Sequence, residues 1–333
     1  GHRVDHRVVI TGLGVLSPIG LTLNTYWDAL CAGQSGIGPI TRFDVTDFPA
    51  KIAGELKDFI PTDYLDRKDV KRMDDYVKYA VAATKMAFED SGINLDGEDK
   101  ERVGVVIGSG VGGITTFERQ HTNLLQKGPG RVSPFFIPMM IADMAPGHIS
   151  IIHGLKGPNY TTVSACSSGG HAIGDAFRIL QRGEADVMVT GGTEASISEM
   201  AISGFSNMKA LSLRNDEPTR ASRPFDVARD GFVLGEGAGI IILETLDHAK
   251  QRNAIIYAEL IGYAATADAF HMTHPHEAGD GAIRAMRLAI KDAGMQPDEI
   301  DYINAHGTST PLGDRIETKA IKEAFGDHAY NLA

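Results

Sequence analysis

Residues 161–180 read TTVSACSSGGHAIGDAFRIL, and this stretch decides how the chain folds. The β-branched residues before the cysteine favour an extended strand. The small residues at 167–170 then allow a tight turn with exposed backbone amides. From His171 onward, apolar residues recur at helical spacing. The sequence therefore predicts a strand, a turn that carries Cys166, and a helix.

Cys166 has a setting that an inert cysteine does not need. A single cysteine in an apolar sequence is usually a small buried hydrophobic residue, and Cys31 keeps that interpretation. Cys166, in contrast, immediately precedes a predicted helix, whose unpaired N–H groups and dipole favour a thiolate over a thiol. The context therefore predicts that Cys166 is a nucleophile.

The composition excludes several classes of protein. Of the 333 residues, 43% are hydrophobic and 23% are charged, which is enough for a large core. The net charge of −11 argues against a nucleic-acid partner. Two cysteines exclude a disulfide scaffold and fit a reducing compartment. There is no signal-peptide pattern and no apolar run of the ~18 residues that a membrane span needs, so we expect a cytoplasmic protein without a membrane partner.

One local basic segment departs from the acidic balance. Residues 65–75 read LDRKDVKRMDD. On a helix, Arg67 with Lys71 and Lys68 with Arg72 are i,i+4 pairs that form one basic face. Such a face is either solvated and paired with the neighbouring aspartates, or a docking surface for an acidic partner. Taken alone, the segment favours the solvated face.

The order of elements predicts an α/β protein. Helix and strand patterns alternate along the chain, which predicts buried and mostly parallel sheets. In detail, we expect a loop, a strand pair and a helix within 222–253, and a strand at 300–310. Two pieces look like copies of one unit, because the helix and strand patterns of 82–110 recur in 283–308. A repeat of this kind suggests a duplicated fold.

The duplication divides the chain unevenly. We expect a first half at 5–254, which carries Cys166, and the start of a second half at 255–333, which carries His306. The second half stops about where the counterpart of the Cys166 strand should begin. By this comparison, about 80 to 120 residues are absent from it.

A second motif, NAHGTSTPLGD at 304–314, offers a partner for the cysteine. His306 leaves a predicted strand beside a glycine turn, and Asp314 follows at a position where it can cap the next helix. A single histidine is usually structural. On the corresponding edge of a duplicated unit, however, His306 is a candidate partner of Cys166 in a nucleophile–histidine pair.

Two further motifs carry weaker signals. GSGVGG at 108–113 matches G-x-G-x-x-G, but no acidic residue follows about 20 positions later, so a close-packed strand exit with Val111 pointing into a pocket is favoured over dinucleotide binding. HMTHPH at 271–276 lies in a proline-containing loop without a cysteine or carboxylate cluster to complete a metal shell. We therefore expect neither a cofactor nor a metal.

The segments VSACSSG around Cys166 and NAHGTSTPLGD around His306 together resemble the β-ketoacyl-acyl carrier protein synthases, most closely the elongating type II enzymes of bacterial fatty-acid synthesis. Similar segments span nearly the whole chain, including VVITGLGVLSPIG, PFFIP and RPFDVARDGFVLGEGAG. The resemblance implies a thiolase-like fold, in which two duplicated halves stack as five α-β-α-β-α layers, and it implies a homodimer.

The resemblance also implies a role for each site residue. Cys166 takes up an acyl chain from a carrier protein, and His306 stabilises the enolate that forms when malonyl-carrier protein loses CO2. The other substrate-binding positions, which match the acyl pocket, the pantetheine channel and an acidic position near the site, are Val111, Phe205, Asp268, Thr273, Thr308 and Thr310. The positions expected to dock the acidic carrier protein are Lys68, Lys71, Arg72 and Lys209.

The chain also departs from the family. A second catalytic histidine, an active-site lysine and a C-terminal phenylalanine gate are missing, so a polypeptide that ends at Ala333 is expected to lack condensation activity. We favour an incomplete sequence, because cutting the second half would expose core strands.

Three alternatives remain. A degradative thiolase would need a second cysteine as a base in the C-terminal half. A polyketide-type condensing enzyme uses the same chemistry, and the lack of a fused domain within this chain argues against a modular one. A non-catalytic partner subunit is disfavoured by the presence of Cys166.

Overall fold

The computed structural model describes residues 5–333, which form two compact units. The larger unit contains residues 5–37, Ala53–Ala201 and Leu234–Leu260. The smaller unit contains Gly38–Ile52, Ile202–Val233 and Ile261–Ala333. Cys166 therefore belongs to the larger unit and His306 to the smaller one.

The described residues contain eight strands. They are β1 (Val8–Leu16), β2 (Gly38–Pro39), β3 (Ile52–Ala53), β4 (Val103–Gly108), β5 (Asn159–Thr162), β6 (Val187–Glu194), β7 (Gly237–Thr245) and β8 (Ala258–Leu260). β2 and β3 form a separate two-stranded sheet, and the other strands form one six-stranded sheet.

The same residues contain eleven α-helices. They are α1 (Leu23–Cys31), α2 (Arg67–Val70), α3 (Asp75–Ser91), α4 (Ile114–Lys127), α5 (Phe136–Met140), α6 (Met144–His153), α7 (Ser168–Gln181), α8 (Glu199–Asn207), α9 (Leu246–Gln251), α10 (Asp280–Asp292) and α11 (Pro311–Phe325). None of these helices is both long enough and apolar enough to cross a membrane.

The six-stranded sheet is mixed. Its strand order is β5-β4-β6-β7-β1-β8. β4 is parallel to β5 and β6, whereas β7 is antiparallel to β6 and β1, and β8 is antiparallel to β1. The expectation of a mostly parallel arrangement is therefore wrong for this sheet, because an apolar run indicates burial on both faces but not the direction of the strand.

The strand pair expected within 222–253 is also wrong. Among the described residues, β7 is the one strand of this segment. Upstream of it, Phe232 makes an isolated bridge with Leu211. In the loop before Phe232, the Arg223 and Phe225 N–H groups instead donate to the side chains of Ser309 and Asp314.

Helices α3 and α7 cover opposite faces of the six-stranded sheet. Val105 and Ile107 of β4 are buried in one apolar cluster with α3, so the alternate residue Gly108 faces the other side. There, a Cβ on Gly108 would lie 2.2 Å from the carbonyl oxygen of Ser168. Because of this close approach, α7 can pack on β4 only if glycine ends the strand.

The smaller unit contains α10 and α11, which pack together around a small apolar core. The strand expected at 300–310 is wrong for the described residues. The backbone there donates from Ile303 N to Ala333 O and accepts at Asp301 O from Ala333 N, both at 3.0 Å. These two bonds have the pattern of a parallel ladder, but a strand requires a longer one.

Candidate active site

Cys166 lies in the turn between β5 and α7, as the sequence predicts. It is exposed and belongs to the 3-10 turn Ala165–Ser167. Ala165 has a φ of 52°, a left-handed conformation that is uncommon for a residue with a side chain. Helix α7 begins at Ser168, three residues before the predicted start at His171, so its first amides follow directly after the turn.

A buried serine holds this turn together. The Ser168 hydroxyl donates to the Ala165 carbonyl at 2.6 Å and accepts from the Ser164 N–H at 2.9 Å. The Ser168 carbonyl in turn accepts from the Thr162 hydroxyl at 2.7 Å. Ser168 is only 3% exposed, so these bonds are shielded from water. They fix the unusual backbone on which Cys166 sits.

The first turn of α7 adds a histidine to the same region. The Ser164 hydroxyl and His171 Nδ1 are 2.6 Å apart, within hydrogen-bonding distance. His171 thus ties the helix to the residue that precedes the left-handed Ala165, and it supports the turn in addition to Ser168.

The GSGVGG segment forms a loop at the end of β4, and one carboxylate organises it. Glu194 accepts hydrogen bonds from the Gly110 N–H at 2.7 Å, the Ser109 hydroxyl at 3.0 Å and the Val111 N–H at 3.3 Å. Gly113 then forms the N-terminal end of α4. The Val111 side chain is 49% exposed. Whether it points into an acyl pocket remains a prediction.

His306 lies in an irregular loop and is exposed. Its backbone is held by Glu317 of α11, whose two oxygens accept from the His306 N–H at 2.8 Å and the Gly307 N–H at 2.7 Å. The carboxylate matches the two adjacent amides one to one. The position of His306 along the loop is therefore set by α11.

The hydroxyl residues after His306 are half-buried. Thr308 Oγ1 and Thr310 Oγ1 are 2.9 Å apart, and Thr310 accepts from the Gly313 N–H at 3.2 Å. Thr310 is therefore the N-terminal cap of α11. The expectation that Asp314 caps this helix is wrong, because Asp314 lies inside the helix and binds elsewhere.

Asp314 instead joins two segments of the smaller unit. It is 1% exposed and accepts from the Phe225 N–H at 2.7 Å and the Ser309 N–H at 3.2 Å. The Arg229 guanidinium lies 3.4 Å from the same carboxylate and also donates to the Thr310 carbonyl. Phe225 and Ser309 both have left-handed backbones, with φ of 66° and 69°. Asp314 thus secures two strained residues at once.

The loop that contains the HMTHPH motif is anchored by Asp268. Its carboxylate accepts from the His276 N–H at 2.9 Å and the Gly281 N–H at 3.0 Å, at the start of α10. Thr273 is exposed, and its N–H lies 3.0 Å from His271 Nδ1. Among residues 5–333, no cluster of three or more histidine, cysteine or acidic side chains could hold a metal ion.

Phe205 packs edge to face against Phe232, with ring centroids 5.2 Å apart. Both aromatic rings belong to the smaller unit. The contact limits the rotation of Phe205, so its ring offers a fixed apolar surface. Its assignment to the acyl pocket remains a prediction.

The basic segment does not form one continuous helix face. Helix α2 ends at Val70, so Lys71 and Arg72 lie in the turn that follows it. Lys68 and Lys71 are exposed, while the Arg72 guanidinium lies 4.7 Å from the centre of the Phe135 ring. The expected i,i+4 pairing is wrong because the helix has only four residues. The exposed residue Lys209, in the smaller unit, has a left-handed φ of 61°.

Sequence reasoning missed Glu194 and Glu317 and misassigned Asp314. Each of these carboxylates binds backbone amides of a motif that the sequence does single out. One signal was available for Glu194, since a charged residue that ends a long buried strand needs a partner. For Glu317, the spacing of eleven residues from His306 gives no local cue.

Residues 5–249 match the family described as Beta-ketoacyl synthase, N-terminal domain, and residues 257–333 match Beta-ketoacyl synthase, C-terminal domain. The chain belongs to the β-ketoacyl synthase family. The 3-oxoacyl-[acyl-carrier-protein] synthase 2 of Synechocystis sp. is 54% identical to this ketoacyl synthase over 327 residues, which are 98% of this chain and 79% of that protein. The protein of the same name from Coxiella burnetii is 51% identical, with the same coverage of both chains.

Solved structures give the same result. The ishigamide ketosynthase/chain length factor superposes with a TM-score of 0.90 at 35% identity, over 97% of this chain and 78% of that one. A ketosynthase of the AntDE:AntF complex, described as a type II PKS acyl-carrier protein in complex with its ketosynthase, gives 0.88 at 32% identity, over 98% and 80%. The resemblance and the thiolase-like fold predicted from the sequence are therefore confirmed.

Proposed function

We propose that this protein catalyses the decarboxylative Claisen condensation of an acyl-enzyme thioester with malonyl-acyl carrier protein. The product is a 3-oxoacyl-acyl carrier protein, in fatty-acid chain elongation. The observation that carries the proposal is the exposed Cys166 on a strained turn directly before α7. The 54% identity to a 3-oxoacyl-[acyl-carrier-protein] synthase 2, against 32% to the type II PKS ketosynthase named above, favours the fatty-acid substrate.

Cys166 performs the first half of the reaction. Its sulfur attacks the carbonyl carbon of the acyl-carrier thioester, a new carbon–sulfur bond forms, and the carrier leaves as a thiol that takes the proton of Cys166. The carbonyl oxygen becomes negative during the attack. The backbone N–H of Cys166 stabilises that charge as one donor of an oxyanion hole.

His306 serves the second half. Malonyl-carrier protein loses CO2, and the electron pair of the broken bond forms an enolate. The His306 ring, in its neutral form, donates to the enolate oxygen as charge develops there. The enolate carbon then attacks the acyl thioester on Cys166, which releases the cysteine sulfur and leaves the chain two carbons longer. Glu317 supports this role because it fixes the backbone that carries the ring.

The remaining substrate positions follow the same proposal. Thr308, Thr310 and Thr273 contact the pantetheine arm, and Asp268 orders the loop that contains Thr273. Val111 and Phe205 line the acyl pocket. In support, Thr308 and Thr310 are held as a pair, and Asp268 is bound to two amides of its loop.

Acyl carrier protein is the proposed partner. Its acidic surface would meet the carrier-docking residues Lys68, Lys71, Arg72 and Lys209, of which Lys68, Lys71 and Lys209 are exposed. The solved ketosynthase that is bound to its carrier protein supports this class of partner.

A homodimer is the proposed assembly, because β5 is an edge strand of the six-stranded sheet. Apolar side chains near that edge are exposed, including Val163 at 63% and Ile151 at 72%. Burial of these side chains against a second copy would remove them from water.

The proposal also includes the domain boundaries and the location. The first half spans 5–254 and carries the nucleophile, and the start of the second half spans 255–333 and carries the histidine. The family matches at 5–249 and 257–333 support this division. We assign the protein to the cytoplasm, where its two cysteines stay reduced.

Mass spectrometry of the first half-reaction tests the function. The wild-type protein, incubated with an acyl-acyl carrier protein, should gain one acyl group on Cys166, and Cys166→Ala should gain none. The interpretation of Cys31 as a buried residue is wrong, because Cys31 is exposed at the end of α1. Cys31→Ala is therefore a matched control, and this variant should be acylated like the wild type. Absence of the adduct from the wild type, or an equal adduct on Cys166→Ala, would refute the proposal. Rapid thiolysis of a 3-ketoacyl-CoA without malonyl decarboxylation would favour a thiolase instead.

A further inference from the structure

Glu194 is the last residue of β6, and its carboxylate binds one short loop. Oε1 accepts from the Gly110 N–H at 2.7 Å, and Oε2 accepts from the Ser109 hydroxyl at 3.0 Å and the Val111 N–H at 3.3 Å. Three consecutive residues are therefore fixed by one side chain. An ionised carboxylate suits this task, because it accepts at both oxygens and donates at neither.

This loop lies against the turn that carries the nucleophile. A Cβ on Gly110 would lie 2.7 Å from Glu194 Oε1 and 3.5 Å from the carbonyl oxygen of Ala165. Gly110 is thus confined between the carboxylate and the residue before Cys166. The Gly112 N–H donates to the Ser109 hydroxyl at 3.3 Å, which extends the same restraint along the loop.

We propose that Glu194 is a positioning residue for acyl-chain selection. It holds the backbone of Ser109, Gly110 and Val111 in one place relative to the Cys166 turn, and so fixes the half-exposed Val111 side chain. The inference rests on the proposed function, in which Val111 lines the acyl pocket. On that function, we expect long acyl chains to contact Val111 more than short chains do, so the position of the loop should affect long chains most.

Replacement of Glu194 by glutamine separates charge from size. Gln has nearly the same shape, but one of its two terminal atoms is an NH2 group, which cannot accept from the amide or hydroxyl donors that face it. At least one of the three bonds is lost in either orientation of the side-chain amide. The loop then shifts or becomes mobile, and displacement near a reacting group lowers the rate steeply.

The test measures the rate of Cys166 acylation by carrier protein loaded with butanoyl, octanoyl or tetradecanoyl chains. Glu194→Gln should lower the tetradecanoyl-to-butanoyl rate ratio about tenfold, with the butanoyl rate close to that of the wild type. Ser109→Ala removes one of the three bonds to Glu194 and also the acceptor of the Gly112 N–H, so it should lower the ratio as well. It also keeps the test available if Glu194→Gln fails to fold.

Thr193→Val is the matched control. Thr193 is the neighbouring residue on β6, is buried, and donates to the Tyr76 carbonyl at 2.7 Å rather than to the loop. Its replacement should lower thermal stability without changing the chain-length ratio. An unchanged ratio in Glu194→Gln, an equal fall at every chain length, or an equal change in Thr193→Val would overturn the inference. A wild type that accepts no chain at all would instead refute the proposed function.

Discussion

Replacement of His248 by glutamine tests a buried charge network that supports the sheet behind the candidate site. Glu244 of β7 is fully buried and accepts from Arg252 Nε at 2.8 Å, Arg252 Nη2 at 2.6 Å and the Thr11 hydroxyl. His248 Nδ1 lies 2.6 Å from Glu244, and His248 Nε2 lies 2.8 Å from Glu98. A histidine between two carboxylates is stabilised in its charged form.

The pKa values give the size and the sign of the effect. The hydrogen bond to Glu244, opposed by burial and assisted by Glu98, raises the pKa of His248 from 6.5 to about 9. Each pKa unit corresponds to about 1.4 kcal/mol, so charged His248 stabilises the fold by about 3 kcal/mol. Because the folded pKa is raised, this contribution is complete below pH 6.5 and is lost as the pH rises through 9.

Glu244 gives the opposite dependence at acid pH. Burial disfavours its charge, but hydrogen bonds from Arg252, His248 and Thr11 outweigh burial and lower its pKa from 4.5 to about 2. This contribution is present above pH 4.5 and is lost as the pH falls toward 2. Both groups therefore contribute fully between pH 4.5 and pH 6.5.

Urea unfolding at pH 6 and pH 9 measures the effect of His248. His248→Gln should have a lower free energy of unfolding than the wild type, and this deficit should depend on pH because Gln does not titrate. The deficit should be about 3 kcal/mol larger at pH 6 than at pH 9. Thr11→Val is the control: it removes a neutral donor to Glu244, so its deficit should be equal at both pH values. If the deficit of His248→Gln is also equal at both, His248 is not charged in the folded protein and the reasoning fails.

Two further substitutions test the scaffold of the candidate site. Gly108→Ala would place a methyl group 2.2 Å from the Ser168 carbonyl oxygen and should destabilise the fold by about 3 kcal/mol. Gly170→Ala, in the same helix as Ser168, meets open space and should be neutral or stabilising. Thermal melts compare the two variants, and equal melting temperatures would contradict the packing argument. Asp314→Ala removes the buried partner of Arg229 and should lower the free energy of unfolding in urea by about 3–5 kcal/mol. Asp314→Asn should lower it by less. If Asp314→Ala lowers it by less than about 1 kcal/mol, the Asp314–Arg229 pair does not stabilise the fold.

The local order of the Cys166 region could be predicted from the sequence, but the start of its helix could not. Ser168, Gly169 and Gly170 favour a turn in the sequence, because small residues are typical of turns. In the structure they form the first turn of α7, and Gly169 lies where a Cβ would be 3.4 Å from the Gly192 Cα. The backbone carbonyl of Ser168 lies close to Gly108 of β4, and the Ser168 hydroxyl binds the Cys166 turn. Sequence spacing does not reveal these contacts.

The carboxylates that hold the loops could not be predicted for a different reason. Glu194 binds amides more than eighty residues earlier in the chain, and Asp314 binds Phe225, 89 residues away. Periodicity and local motifs describe neighbours along the chain, whereas these contacts depend on the order of strands in the sheet and on loop geometry. The prediction of one basic helix face at 67–72 is wrong for a related reason. The i,i+4 spacing rule assumes a continuous helix, whereas helix α2 ends at Val70.

The residues proposed for chemistry and the residues that hold them have opposite environments. Cys166 and His306 are exposed, and each lies within three residues of a left-handed non-glycine residue, Ala165 in one case and Ser309 in the other. Such backbones persist only where surrounding contacts determine them. Buried Ser168 supplies those contacts for the first and buried Asp314 for the second. The reacting groups can therefore stay accessible to a carrier-bound substrate, because the free energy that orders their loops comes from side chains that the substrate does not need to touch.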